Sequence, residues 1–133
     1  MATNLMTIEV VSPEKVLYSG EGTMVITRTI GGGEVAFQAG HAAFLGALQA
    51  CHTRVFQEDG SVEDIAVHGG FVEVSNNKVS ILSDSAELGA HIDVERAQAA
   101  KERAESTLRD EHDVEATEAL ARAVARLNAA SGR

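Results

Sequence analysis

The sequence predicts a β + α fold: an N-terminal antiparallel β-sandwich, or flattened barrel, over residues 1–88, then a C-terminal antiparallel α-helical hairpin over residues 89–133. Three observations predict it. Apolar residues recur in twos up to about Leu88, the period of a half-buried strand. Turn-forming residues interrupt that stretch at short intervals. From Asp93 onward the apolar period lengthens to three and four, and turn residues vanish until Gly132, as in amphipathic helices.

The first strand is expected over residues 5–11, with Met6, Ile8 and Val10 on one face and Thr7 and Glu9 on the other. Further β-rich runs follow at 15–18, 23–28, 34–38, 53–57, 62–68, 71–74 and 79–82. Turn signals separate them at Ser12-Pro13, Ser19-Gly20, Gly31-Gly32-Gly33, Asp59-Gly60, Gly69-Gly70 and Asn76-Asn77. Asp59-Gly60 and Asn76-Asn77 stand between apolar runs, where tight hairpins place such residues. Many short strands without intervening helices describe a sandwich or barrel.

In the second part, Asp93 is an N-cap with Glu95 in the first turn. Val94, Ala97, Ala100 or Lys101, Ala104 and Leu108 form one stripe. The polar run 109–113 breaks the helix, with Asp113 as a second N-cap. Ala116, Leu120, Ala123, Val124 and Leu127 form the second stripe, and Gly132 ends it. Eleven alanines occur after residue 90. Alanine permits close helix approach but buries little area, so the hairpin is expected to dock weakly.

Composition narrows the function classes. The formal charge is −9, with eleven Lys and Arg against twenty Asp and Glu. That balance argues against nucleic acid, whose phosphates need a surplus of cations, and against a basic face on anionic lipid. The charge is uneven: residues 1–90 hold four basic against eleven acidic side chains, and residues 91–133 hold seven against nine. Cys51 is the only cysteine, so no intrachain disulfide forms and a reducing compartment is expected. No basic and apolar leader opens the chain, and no run of about 18 apolar residues spans a bilayer. Any link to a membrane is expected to run through a partner.

Catalytic motifs are absent from the pattern. Gly31-Gly32-Gly33 lacks the Gly-Lys-Ser/Thr of a phosphate loop and precedes a strand, so it reads as a hairpin loop. His41, His52, His68, His91 and His112 lack metal-ligand spacing. No nucleophile-base set is evident, and the chain reads as a non-enzyme. Two arginine pairs stand out: Arg96 and Arg103 two turns apart on the first helix, and Arg122 and Arg126 one turn apart on the second. Facing one another, they would line an alanine slot suited to phosphate oxygens. On spacing alone a solvated face is the stronger reading, with Glu118–Arg122, Glu102–Arg126 and Glu105–Arg109 as its pairs.

Gly40-His41-Ala42, the run from Ala66 to Val74 (AVHGGFVEV), and Ser83-Asp84-Ser85-Ala86-Glu87 leading to Ile92-Asp93-Val94-Glu95-Arg96-Ala97 together resemble the epsilon subunits of F-type ATP synthases. The match runs from about Thr7 to Leu127. Family members commonly carry prolines beside the Gly-His pair; Ala39 and Ala43 stand there in this chain, so that loop is expected to be less rigid.

The resemblance implies a non-catalytic central-stalk subunit at the cytoplasmic face of a bacterial plasma membrane. Its sandwich would bind the gamma subunit and the c-ring. Its hairpin would fold on the sandwich or extend toward the catalytic alpha and beta subunits, resisting hydrolysis. No cofactor is required, but in several bacterial members ATP binds the folded hairpin as a regulatory ligand. Carried onto matching positions, that site comprises Glu87, Ile92, Asp93, Arg96, Ala97, Arg103, Arg122 and Arg126. A stand-alone nucleotide sensor with the same fold is the alternative.

Overall fold

The computed structural model describes residues 4–132; the expected parts therefore reach past the described residues at both ends. Eight strands run in order: β1 (Met6–Val11), β2 (Val16–Gly22), β3 (Met24–Thr29), β4 (Gly33–Gln38), β5 (Phe44–Phe56), β6 (Val62–Ser75), β7 (Lys78–Ser83) and β8 (Ala86–Leu88). A 3-10 turn, Gly89–His91, leads to helices α1 (Val94–Asp110) and α2 (Val114–Ser131). The sheet order is β2-β1-β7-β6-β5-β3-β4, with β8 pairing β6. All neighbours are antiparallel except β1 and β7, which are parallel, and the sheet does not close.

The alternating side chains explain the core. Met6, Ile8 and Val10 of β1 are fully buried, as are Val72 and Val74 of β6 and Val79 and Ile81 of β7. With Val25, Phe37, Val55, Ile65 and Val67 they form one cluster inside the folded sheet. The opposite faces of the same strands build an apolar row. Cross-strand register places Ala47 beside Phe71, Phe71 beside Leu82, Leu82 beside Val11, and Val11 beside Val16. Phe71, Leu82 and Val16 of this row are each more than half exposed, so five strands present a continuous apolar strip to solvent. The next row along bears Glu73 and Glu9, beside Ser80 between them.

Three expectations about the strands change. Ser19-Gly20 is no turn, because both residues pair with β1, Ser19 with Glu9 and Gly20 with Ile8. Gly69-Gly70 is no turn either; it lies within the long strand β6. Both glycines have positive φ, 89° and 116°. A Cβ at Gly70 would lie 2.1 Å from the Leu82 carbonyl oxygen. The pair makes a kink at which β6 changes partner, from β8 at Ile65–Val67 to β7 from Gly70 onward. Finally, β5 begins at Phe44, well before the expected 53–57 run. By contrast Asn76-Asn77 is the tight turn expected, with φ of 50° and 61°.

The helices start at the two caps read from the sequence. Asp93 accepts a hydrogen bond from the Arg96 backbone N–H at 3.0 Å, and Asp113 one from that of Ala116 at 2.9 Å. Gly132 ends α2 in the left-handed conformation, φ 74°. The stripes differ in detail. Val94 is half exposed rather than buried. On α2, Ala125 and Ala129 are buried as well as Ala116 and Ala123, because α2 packs on two sides, against α1 and against β5 and β6. A helix buried on two sides needs more than one stripe.

Candidate functional site

The seam between sheet and hairpin holds the densest polar cluster connecting the two parts. Strand β8 is short, but its pairing of Glu87 with Ala66 brings the Glu87 carboxylate beside His68, two residues along β6. His68 Nε2 and Glu87 Oε2 lie 3.0 Å apart. From the hairpin, Arg126 Nε donates to the same Oε2 at 2.5 Å. One carboxylate oxygen therefore joins β6, β8 and α2.

The protonation states follow from these contacts. Burial pushes the Glu87 carboxyl up, but the hydrogen bonds from Arg126 and His68, with their charges, outweigh it and hold it below its usual value. The ionised carboxylate is acceptor only, so the His68 Nε2 carries the hydrogen. Burial holds the His68 ring below its ordinary value; the Glu87 bond opposes this, and the charges of Arg126 and Arg122 add to it. The ring is accordingly neutral, with a bare Nδ1 that is buried and has no hydrogen-bond partner among the described residues.

A second cluster underlies the far end of α2. His52 and Asp64 side chains meet at 2.6 Å, and Arg54 Nε lies 3.7 Å from the same Asp64 oxygen. Here the backbones close up: a Cβ on Gly89 would lie 2.4 Å from the Ala129 carbonyl oxygen and 3.0 Å from that of Asp64. Only glycine lets the 3-10 turn pass between α2 and β6.

The residues expected in a nucleotide site are distributed as follows. Glu87 and Arg126 are joined directly, and Arg122 lies within electrostatic reach of His68. Asp93 spends its carboxylate on the α1 cap. Half-buried Ile92 donates its backbone N–H to Gly89 at 3.3 Å. Ala97 is buried, whereas Arg96 and Arg103 are exposed. Arg103 lines a shallow groove between the helices with Ala100, Ala104, Thr107, Ala116 and Ala119, and is the only one of the four arginines there. Arg126 thus turns to the sheet instead of completing a four-arginine slot.

The pairs expected of a solvated face, Glu118–Arg122, Glu102–Arg126 and Glu105–Arg109, do not form among the described residues. Glu102 accepts from Gln98 instead, at 3.3 Å. Sequence reasoning missed His68 as a seam residue and the His52–Asp64 pair. The only available signal was cross-strand placement, since Ala50 pairs with His68 and Ala66 with His52.

The sandwich and the hairpin each match a family model. Residues 5–89 match the ATP synthase delta/epsilon chain β-sandwich domain. Residues 91–131 match the delta/epsilon chain long α-helix domain. The chain belongs to the ATP synthase delta/epsilon chain family. An ATP synthase epsilon chain of Desulfitobacterium hafniense is 47% identical over 127 residues, covering 93% of this chain and 95% of that one. The epsilon chain of Brevibacillus brevis is 45% identical over 107 residues, 80% of each chain. That of Streptomyces coelicolor is 38% identical over 126 residues, 95% of each.

Among solved structures, a chain of the Euglena gracilis mitochondrial ATP synthase (OSCP/F1/c-ring) superposes with a TM-score of 0.78 at 21% identity, covering 96% of this chain and 81% of that one. A chain of the Tetrahymena thermophila central stalk and c-ring assembly gives 0.58 at 16% identity, covering 96% and 94%. At those identities the likeness supports the fold. The junction between the two family domains falls at residue 90, beside the Gly89 crossing.

Proposed function

We propose that this delta/epsilon family chain is a non-catalytic central-stalk subunit of a proton-translocating bacterial ATP synthase, peripheral to the cytoplasmic face of the plasma membrane. Its sandwich docks on the gamma subunit and the c-ring. Its hairpin is a brake on ATP hydrolysis that releases from the sandwich to reach the catalytic alpha and beta subunits and is held back by ATP. The observation that carries this reading is the thin seam: α2 meets the sheet chiefly through alanines, the Gly89 crossing and the Arg126–Glu87 pair. Such a contact contributes little area and can be exchanged for another.

The apolar strip on the outer sheet face supports docking. Phe71, Leu82 and Val16 are large enough to serve as anchors, and the neighbouring Glu9 and Glu73 suit a basic rim on the partner. A chain ending at Leu88 is expected to bind gamma as the full chain does. Loss of binding while circular dichroism still reports a folded sandwich would contradict the docking assignment.

The ATP site is proposed as Glu87, Ile92, Asp93, Arg96, Ala97, Arg103, Arg122 and Arg126. Its phosphates would draw on Arg103, Arg122 and Arg126, with Arg96 ordering the site; Arg126 would exchange the Glu87 carboxylate for a phosphate oxygen. A ligand at a hundredfold excess over its Kd stabilises the state it binds by about 2.7 kcal/mol, enough to decide a weakly docked equilibrium. Calorimetry at millimolar ATP is expected to show binding that Arg126→Ala weakens more than Arg109→Ala. Absence of both heat and a melting shift would remove ATP from the account.

A further inference from the structure

We propose that His68 is a pH-sensitive latch, protonation of its ring releasing α2 from the sheet. The site is already arranged around a neutral imidazole. Its side chain is 3% exposed, Nε2 is committed to Glu87, and Nδ1 is buried without an acceptor. A second proton would have to sit on Nδ1, where the described residues offer nothing to receive it. An unpaired buried N–H is costly, and more so on a cation.

The charges around the ring point the same way. From β8 it faces Glu87, and from α2 it faces Arg122 and Arg126. From β5 its cross-strand neighbour is the uncharged Ala50. On its own strand, Asp64 is occupied by His52 and Arg54. While the hairpin is docked, an imidazolium would share the Glu87 carboxylate with Arg126 and stand within electrostatic reach of Arg122. When α2 leaves, both guanidiniums leave with it and water reaches Nδ1. Glu87 stays on β8 and pairs with the imidazolium alone. The undocked state therefore takes up the proton more readily, and by linkage the proton favours the undocked state.

The sign follows. Burial, Arg126 and Arg122 hold the docked His68 below 6.5, its ordinary value. In the undocked state Glu87 alone faces the ring and raises its value, so docking is fully retained above the undocked value and weakens as pH falls from there toward the docked one. The docked-to-undocked ratio changes at most about tenfold for each pH unit separating the two states' pKa values. The inference rests on the hairpin being releasable, as proposed above, but names a proton in place of a nucleotide as the agent.

The test is energy transfer in the full chain between dyes on Lys78→Cys and Glu118→Cys, both exposed positions, in a Cys51→Ser background, from about pH 8 to about pH 5.5. Transfer is expected to fall on acidification and to be nearly flat in His68→Gln. Equal slopes in the two chains, or no change in the parent, would overturn the latch. Nuclear magnetic resonance supplies a second reading that stands if His68→Gln does not fold. His68 is expected to titrate below 6.5 in the docked chain, and titration at or above that value overturns the proposal. A parent whose transfer responds to ATP but not to pH removes the latch and leaves the nucleotide-held brake. A parent that responds to neither removes both.

Discussion

Gly89 shows how one missing side chain sets the hairpin's position. Its Cα passes between the Ala129 and Asp64 carbonyls with no room for a methyl group. Those oxygens belong to backbone, which cannot swing aside as a flexible side chain does. Gly89→Ala is therefore expected to loosen α2 without unfolding the sandwich. Hydrogen exchange in α2 should accelerate at least severalfold, while protection in β5 and β6 is unchanged. Unchanged exchange in α2 would contradict the close approach. Gly89 carried no signal in the sequence beyond its place near the change of period. Arg126 stood out by its spacing from Arg122 and Glu87 through the resemblance; their pairing, across 39 residues, depends on how the hairpin folds back. His68 was visible only as one of five histidines without metal spacing.

Among the elements, the helices were the more legible because their signals are local: an Asp at each N-cap, alanine-rich stripes and a terminal glycine. Strand β5 was half hidden. Its first residues, Phe44-Leu45-Gly46-Ala47-Leu48, lack clean alternation and include glycine and alanine, poor strand formers that tertiary pairing overrides. Gly69-Gly70 misled in the other direction, since a kink within a strand uses the same residues as a turn. The loop at residues 39–43 is tied down despite its missing prolines. Asn77 Oδ1 accepts from the Gly40 backbone N–H at 3.0 Å, and Asn77 Nδ2 donates to the Leu5 carbonyl at 2.9 Å. The His41 ring also packs against Phe37 and Phe44, which touch each other. Asn77→Gly keeps the positive φ that the turn needs and removes both bonds. It is expected to cost about 1–2 kcal/mol, read as a lower melting temperature, with faster exchange in the loop. No change in either would mean that the aromatic packing alone holds it.

The whole molecule is layered by strength of attachment. The folded sheet encloses the Val, Ile and Phe core, α2 lies on β5 and β6, and α1 packs principally on α2. Layout and order were legible in the sequence because a period of two gives way to one near 3.6 at a single place. How the layers attach was not, because it depends on contacts between residues far apart in the chain. That gradient, from a dense core outward to an alanine seam crossed by one shared carboxylate, is what a detachable brake requires. The most direct test is ATP hydrolysis by the assembled synthase carrying either the full chain or one ending at Asp93, with occupancy of the subunit verified in both. The account predicts equal assembly and faster hydrolysis with the shortened chain. Equal rates at equal occupancy would contradict it.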